Sequence, residues 1–129
     1  MLNNIKLYIG LPGSGKTFCA NDECDIVIDD ITDVNQLPSM QEIGTKAVLG
    51  ITDVNFCDEN VLYSAFEHIR IKYPYHGIDL EFFENAPEKC HMNVEYRNDG
   101  RKVSEAIDGF SSIYDPPEGA RIIWTNKEA

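Results

Sequence analysis

The segment Gly10-Leu11-Pro12-Gly13-Ser14-Gly15-Lys16-Thr17 decides how the rest of this chain is interpreted. It fits Gly-x-x-x-x-Gly-Lys-Ser/Thr, a loop whose backbone N–H groups surround nucleotide phosphates, with the lysine at the β- and γ-phosphates and the hydroxyl at Mg²⁺. The pattern predicts a site for ATP or GTP with Mg²⁺. The residues expected to contact the nucleotide are Pro12, Gly13, Ser14, Gly15, Lys16 and Thr17. The alternative is a flexible glycine-rich turn that binds no ligand.

Such a loop needs a buried strand before it and a helix after it, because the helix N-terminus supplies free N–H groups and partial positive charge. Residues 5–9 are apolar enough for the strand, and residues 17–20 can begin the helix. Four more short apolar runs alternate with helix-like stretches, at residues 26–28, 47–51, 78–83 and 122–124. Strands interleaved with helices predict an α/β fold with a parallel sheet covered on both faces.

Apolar residues at helical spacing predict three further helices. The first begins near Asp58 and ends before Pro74. The second follows Asn85, a candidate N-cap, and its apolar stripe places Arg97 on the inward side. The third begins near Ser104.

The 129 residues and their 43% apolar content fit a single domain, residues 1–129. The chain has no run of about 18 apolar residues and no leader segment, so we expect a soluble, cytoplasmic protein with no membrane partner. The net charge of −11 would repel a nucleic-acid duplex on average, so nucleic-acid binding would depend on the local basic cluster at residues 97–102. The four cysteines form no C-x-x-C pair, and we expect reduced core thiols.

Two carboxylates follow predicted strands and are candidate site residues. Asp29 directly follows the strand at residues 26–28, and strand carboxyl ends face the ligand crevice in an open α/β sheet. There it could accept a proton from an attacking hydroxyl; the alternatives are a solvated turn or a helix cap. Asp53 follows the third strand and could serve Mg²⁺ directly or through water, or it could cap the next helix.

The basic cluster at residues 97–102 holds three of the 11 basic residues of this acidic chain. In phosphoryl transfer, a movable lid can deliver positive charge to the γ-phosphate and exclude water. The cluster therefore predicts such a lid, with Arg97 as its first member. A charged surface turn is the alternative.

Six segments form an ordered set of motifs along the chain. They are the phosphate loop, a strand ending in Asp29-Asp30, Thr52-Asp53-Val54-Asn55, the pair Pro-Glu-Lys-Cys and Arg-Asn-Asp-Gly-Arg-Lys-Val within residues 87–103, and Tyr-Asp-Pro-Pro at residues 114–117. This set resembles the phage-type polynucleotide 5′-kinases and the related small P-loop kinases over nearly the whole chain. The resemblance implies a three-layer, adenylate-kinase-like P-loop NTPase fold, with five parallel strands in the order 2-3-1-4-5 and a short lid.

The same resemblance implies a role for each site residue. The aspartate matching Asp29 is the general base on the acceptor hydroxyl, and the aspartate matching Asp53 lies near metal and substrate. The contacts with the phosphates and Mg²⁺ are expected from Lys16, Thr17, Arg97 and Arg101.

The expected activity is Mg²⁺-dependent transfer of the γ-phosphate of ATP or GTP to a hydroxyl acceptor: a nucleic-acid 5′-end, a nucleoside or another small hydroxyl compound. A viral protein of this kind would act in the host cytoplasm. Two features depart from the family, because Ile31-Thr32-Asp33 stands where these kinases carry a basic residue, and the connection to the third strand is short. They favour the alternative of a nucleotide-binding regulatory or partner-binding module. A simple NTPase is a third hypothesis.

Overall fold

The computed structural model describes residues 2–29, 37–39, 47–97 and 103–122, with side chains from residue 5 onward. Within these residues the elements are, in chain order, β1 (Leu2–Ile9), α1 (Lys16–Glu23), β2 (Ile26–Asp29), β3 (Leu49–Thr52), a 3-10 turn (Val54–Cys57), α2 (Glu59–Lys72), β4 (His76–Phe82), α3 (Pro87–Arg97) and α4 (Ser104–Ser111). None of the described helices combines the length and apolar character needed to cross a membrane.

The four strands form one parallel sheet in the order β2-β3-β1-β4. Ile5 of β1 lies opposite both Leu49 and Ile78, and Asp29 at the end of β2 lies opposite Thr52 at the end of β3. Because the strands run in the same direction, their carboxyl ends meet at one edge of the sheet. This edge carries the loop that follows β1 and the 3-10 turn that follows β3.

The predicted five-stranded sheet of order 2-3-1-4-5 is wrong, since the described chain forms a small α/β fold with four strands. Of the proposed fifth strand, residues 122–124, only Ile122 is described, and it is 73% exposed, unlike a residue of a buried strand. The preceding Arg121 makes a single parallel bridge with Phe83. An apolar run indicates a strand only where it pairs over several residues, and the described part of this region, up to Ile122, has a single bridge to the sheet. Of the predicted lid at residues 97–102, only Arg97 is described, and residues 98–102, including Arg101, lie outside the described residues.

Strand β1 is buried on both faces. Leu7 and Tyr8 point to opposite faces because side chains alternate along a strand, and both are 0% exposed. Parallel strands are normally covered on both sides by helices, which explains why Leu7, Tyr8 and Ile9 of β1 and all four residues of β3 are buried. Leu62 and Ile69 of α2 complete part of this core.

The helix boundaries follow local sequence signals in α2 and a tertiary contact at α3. Asp58 accepts a hydrogen bond from the backbone N–H of Asn60 at 2.9 Å and is the N-cap of α2, as predicted. Helix α2 ends at Lys72, before Pro74, also as predicted. Asn85, expected to cap α3, instead donates through Nδ2 to the carbonyl oxygen of Ser111 at 2.9 Å and so ties α3 to the end of α4.

Arg121 joins the last described segment to the sheet through charged contacts. Its Nη2 lies 2.9 Å from Glu23 Oε2 and 3.2 Å from Glu81 Oε1, while the Tyr8 hydroxyl donates to Glu23 Oε1 at 2.7 Å. Burial acts to raise the pKa of Glu23, but the hydrogen bonds from Tyr8 and Arg121 and the charges of Arg121 and Lys6 outweigh it. The pKa of Glu23 therefore lies below the usual value for a glutamate.

We expect Arg121→Ala to lower the free energy of unfolding at neutral pH by about 1 to 2 kcal/mol, because it removes hydrogen bonds between charged groups. A lowered carboxyl pKa contributes stability above the unfolded-state value of about 4.3, and this contribution is lost as the pH falls through the folded-state value. The difference between the wild type and Arg121→Ala should therefore narrow below about pH 4, as urea titrations at several pH values would measure.

The control is Arg70→Ala, which breaks an exposed pair with Glu67 and should change stability little at either pH. A difference between wild type and Arg121→Ala that stays constant down to acidic pH would contradict the role given to Glu23.

Candidate functional site

The loop between β1 and α1 has the backbone geometry that its glycines predict. Gly13 has φ +80° and Gly15 has φ +94°, in the left-handed region that disfavours residues with a Cβ. The backbone N–H of Ser14 donates to the carbonyl oxygen of Leu11 at 3.1 Å and closes a turn. Helix α1 begins immediately afterwards at Lys16, so its free N–H groups and the positive end of its dipole lie at this loop.

A cavity of about 450 Å³ lies at the loop and at the carboxyl edge of the sheet. Its wall includes Pro12, Gly13, Gly15, Lys16 and Thr17 from the loop and α1, and Asp29, Thr52, Asn93 and Arg97 from β2, β3 and α3. Four apolar side chains also line it, Phe18, Val54, Val103 and Ala106. The cavity therefore combines a potential phosphate cradle with a carboxylate, a guanidinium and an apolar side.

Lys16 and Ser14 are both buried, but only Lys16 lines the cavity. Lys16 is 7% exposed and donates from Nζ to the carbonyl oxygen of Leu11 at 3.0 Å, so its buried charge is hydrogen-bonded beside the cavity. Ser14 was predicted to contact the nucleotide, but its side chain is fully buried and does not line the cavity. Its Oγ has no hydrogen-bond partner among the described residues. A side-chain contact from Ser14 to the nucleotide is therefore not supported.

Asp29 lies beside the loop in three dimensions, although it follows it by a dozen residues. The Thr17 hydroxyl donates to Asp29 Oδ1 at 3.1 Å. The hydroxyl of Thr52, on the neighbouring strand, donates to the same oxygen. Two hydroxyl groups thus orient the Asp29 carboxylate in the cavity wall, and Thr52 is a site residue that sequence reasoning missed.

Asp53 takes the alternative role considered for it, that of a cap. Its Oδ1 accepts from the backbone N–H of Asn55 at 2.9 Å and from Asn55 Nδ2 at 3.0 Å, at the start of the 3-10 turn. The residue is 3% exposed and does not line the cavity, whereas its neighbours Thr52 and Val54 do. Its Oδ1 therefore caps the 3-10 turn, and a role of Asp53 near Mg²⁺ stays a prediction.

Helix α3 brings Arg97 and Asn93 to the cavity. Arg97 is the last residue of the helix and is exposed, but it lines the cavity wall. Asn93 is 4% exposed and donates from Nδ2 to the carbonyl oxygen of Gly13 at 2.9 Å. Sequence reasoning missed Asn93; the available signal was its position four residues before Arg97 on the same helical face.

Two cysteines near the loop are poor candidates for nucleophiles. Burial raises the pKa of the Cys57 thiol to about 12 and that of Cys90 to about 11, although the charge of Lys16 acts to lower both. Both thiols are therefore protonated at neutral pH, when they are weakly reactive. All four cysteines are described, and none of them forms a disulfide.

Comparison with known proteins gives a family and a fold. No protein-family model matches the chain. The crystal structure of APE1195 is similar over 99% of this chain and 88% of that protein, with a TM-score of 0.50 and 14% identity, which concerns the fold alone. An uncharacterized protein of Acanthamoeba polyphaga mimivirus is 34% identical, and the alignment covers 84% of each chain. The chain therefore belongs to the same family as this uncharacterized mimivirus protein.

Proposed function

We propose that this protein is a Mg²⁺-dependent phosphotransferase that moves the γ-phosphate of ATP or GTP to a hydroxyl acceptor. The observation that carries the proposal is the contact between Thr17 and Asp29 at 3.1 Å, inside a cavity that Lys16 also lines. It joins a phosphate loop to a carboxylate at the end of a neighbouring strand. Phosphoryl transfer needs this combination, since its catalysis depends on positioning and electrostatic stabilisation.

The donor half of the site would use the loop. Gly13 and Gly15 allow the backbone to approach the phosphates closely, and the ammonium of Lys16 would contact the β- and γ-phosphates. Such contacts are favourable because charge-assisted hydrogen bonds are about twice as strong as neutral ones. Arg97 would add positive charge from α3 on the opposite side of the transferred group.

The residues present fit a nucleotide-bound Mg²⁺. Such an ion keeps several waters and needs only one or two protein oxygens, so the lack of a cluster of three or more His, Cys, Asp or Glu ligands among the described residues is compatible with it. The Thr17 hydroxyl would be its protein ligand, with Asp29 adjacent. Asp53, which caps the 3-10 turn, would serve it directly or through water. When bound, the ion supplies positive charge to the β- and γ-phosphate oxygens.

The acceptor half centres on Asp29. In the proposed reaction the acceptor oxygen forms a bond to the γ-phosphorus, and the bond from that phosphorus to the β,γ-bridging oxygen breaks. The acceptor proton passes to the Asp29 carboxylate, which Thr17 and Thr52 orient through a single oxygen. The apolar wall formed by Phe18 and Val54 suits the uncharged part of a nucleoside or a similar hydroxyl compound. A nucleic-acid 5′-end is a further candidate acceptor.

The experiment is a transfer assay with labelled ATP or GTP, Mg²⁺ and a panel of nucleosides, 5′-hydroxyl oligonucleotides and small alcohols, run on wild type and Asp29→Asn. We expect Asp29→Asn to bind nucleotide within about 3-fold of wild type, because asparagine still accepts from both threonine hydroxyls. Transfer should fall by about 100-fold or more, because the amide cannot accept the proton. The matched control is Asp58→Asn. Asparagine can still cap α2, and residue 58 does not line the cavity.

Each outcome of this assay separates the hypotheses. Equal transfer by Asp29→Asn and wild type would remove the base assignment. Tight nucleotide binding without transfer to any acceptor would favour a regulatory or partner-binding module, and phosphate release without an acceptor would favour an NTPase. Wild-type protein that binds neither nucleotide would overturn the proposal altogether.

A further inference from the structure

We propose that Asn93 is a positioning residue of the nucleotide site, which holds the phosphate loop in its working conformation and sets the place of Arg97 relative to it. The proposal rests on the proposed function in one respect, that the ligand of the loop is a nucleoside triphosphate. Neither the loop motif nor the similar proteins assign a role to this residue. It would not touch the phosphates itself.

The first observation is a buried hydrogen bond between distant parts of the chain. Asn93 Nδ2 donates to the carbonyl oxygen of Gly13 at 2.9 Å, across 80 positions of sequence. The side chain is 4% exposed, and a buried amide is costly unless it is hydrogen-bonded. The acceptor belongs to a residue with φ +80°, so the bond restrains a backbone that glycine would otherwise leave flexible.

The second observation is that α3 lies directly against the loop around this bond. A Cβ placed on Gly13 would lie 2.8 Å from the carbonyl oxygen of Cys90 and 2.8 Å from Val94 Cγ2. Cys90, Asn93 and Val94 are spaced as one face of a helix. The loop backbone and this face of α3 are therefore in close contact, with the Asn93 amide as the polar link between them.

The third observation connects this contact to Arg97. Arg97 follows Asn93 by four residues on the same helix face, and both line the cavity. Because a helix is stiff over one turn, fixing Asn93 on the loop also fixes the distance from the loop to the start of the Arg97 side chain. Preorganised groups bind more tightly because less freedom is lost when the ligand arrives. Loss of the Asn93 contact should therefore weaken the contacts that both the loop and Arg97 make with the nucleotide.

The test measures the affinity of Mg·ATP and Mg·ADP by calorimetry for wild type, Asn93→Leu, Asn93→Asp and Arg97→Ala. Leucine has a similar size but no donor. Aspartate has the same shape, but its carboxylate only accepts hydrogen bonds at neutral pH. The Gly13 carbonyl oxygen would therefore repel it. We expect both Asn93 variants to bind ATP about 10-fold more weakly, with a smaller loss for ADP, because the γ-phosphate contact of Arg97 is lost with the loop restraint.

A double variant tests whether Asn93 acts through Arg97. If it does, Asn93→Leu combined with Arg97→Ala should lose no more of the ATP-over-ADP preference than either single variant, since coupled residues are not additive. The control is Met92→Ala, an exposed position on the same helix, which should leave both affinities unchanged. A purely structural role would lower the melting temperature without changing the ratio of the two affinities.

Three results would overturn the inference. One is an unchanged ATP-over-ADP ratio in both folded Asn93 variants; the second is full additivity with Arg97→Ala. If Asn93→Leu does not fold, Asn93→Asp decides the first point alone. The third is a wild type that binds neither ATP nor ADP, and this result would also overturn the proposed function. If the wild type binds both nucleotides and the Asn93 variants have the same affinities, only the role of Asn93 is overturned.

Discussion

We expect Lys16→Ala to abolish measurable phosphate transfer and to weaken Mg·ATP binding by about 100-fold or more, because it removes the buried cation next to the loop. Lys16 is 7% exposed, hydrogen-bonded to Leu11 and placed in the cavity wall, so its ammonium is already positioned for an anion. The effect should be large because the chain carries a net charge of −11, which disfavours a nucleoside triphosphate everywhere except near local positive charge. Calorimetry and the transfer assay would measure the two losses.

Lys89→Ala is the matched control for this prediction. Lys89 lies on α3 and pairs with Glu84 at 3.3 Å, with 42% of its side chain exposed, and it does not line the cavity. Its removal changes the net charge by the same amount but should leave nucleotide affinity nearly unchanged, since exposed ion pairs contribute little. If Lys16→Ala and Lys89→Ala bound Mg·ATP equally well, residues 10–17 would not be the phosphate site.

Gly13→Ala should destabilise the fold and eliminate nucleotide binding together. The residue has φ +80°, which alone costs an ordinary residue about 1 to 2 kcal/mol. The added Cβ would also lie 2.8 Å from the carbonyl oxygen of Cys90 and 2.8 Å from Val94 Cγ2, so α3 would have to move away from the loop. We expect a loss of about 2 to 4 kcal/mol in the free energy of unfolding, measured by urea denaturation.

Gly109→Ala should have the opposite effect on stability. Gly109 lies inside α4, and a Cβ there would meet nothing within 4 Å. Replacing a helical glycine with alanine should raise stability by about 0.5 to 1 kcal/mol and leave nucleotide affinity unchanged. A Gly13→Ala protein as stable as wild type would show that the contact between the loop and α3 is loose, and it would also weaken the role given to Asn93.

Local sequence signals predicted the parts of the site that neighbouring residues specify. The phosphate loop, the strand before it and the helix after it were all expected from residues 5–20. Asp58 as a cap and Pro74 as a stop were read correctly for α2. These features depend on backbone conformations and hydrogen bonds within a few residues, so the amino acids at those positions are sufficient to indicate them.

Residues that act through distant partners were predicted less well. Asp53 was predicted either to serve Mg²⁺, directly or through water, or to act as a cap; the structure shows that it caps the 3-10 turn, and the metal role stays a prediction. Thr52 and Asn93 were not selected, because a buried threonine or asparagine has no distinctive pattern until its partner is known. Their partners, Asp29 and Gly13, lie far away in sequence and are reached only through the packing of the sheet and α3.

The sequence by itself predicted a tight loop at residues 10–17 between a strand and a helix, because its glycines allow the backbone angles that such a loop requires. Only the tertiary structure decided that the described residues form a four-stranded sheet and that residue 121 meets it by a single bridge. It also decided that Asp29 lies beside Thr17. Strand pairing and side-chain convergence are long-range contacts, and their free energy depends on how whole elements pack together.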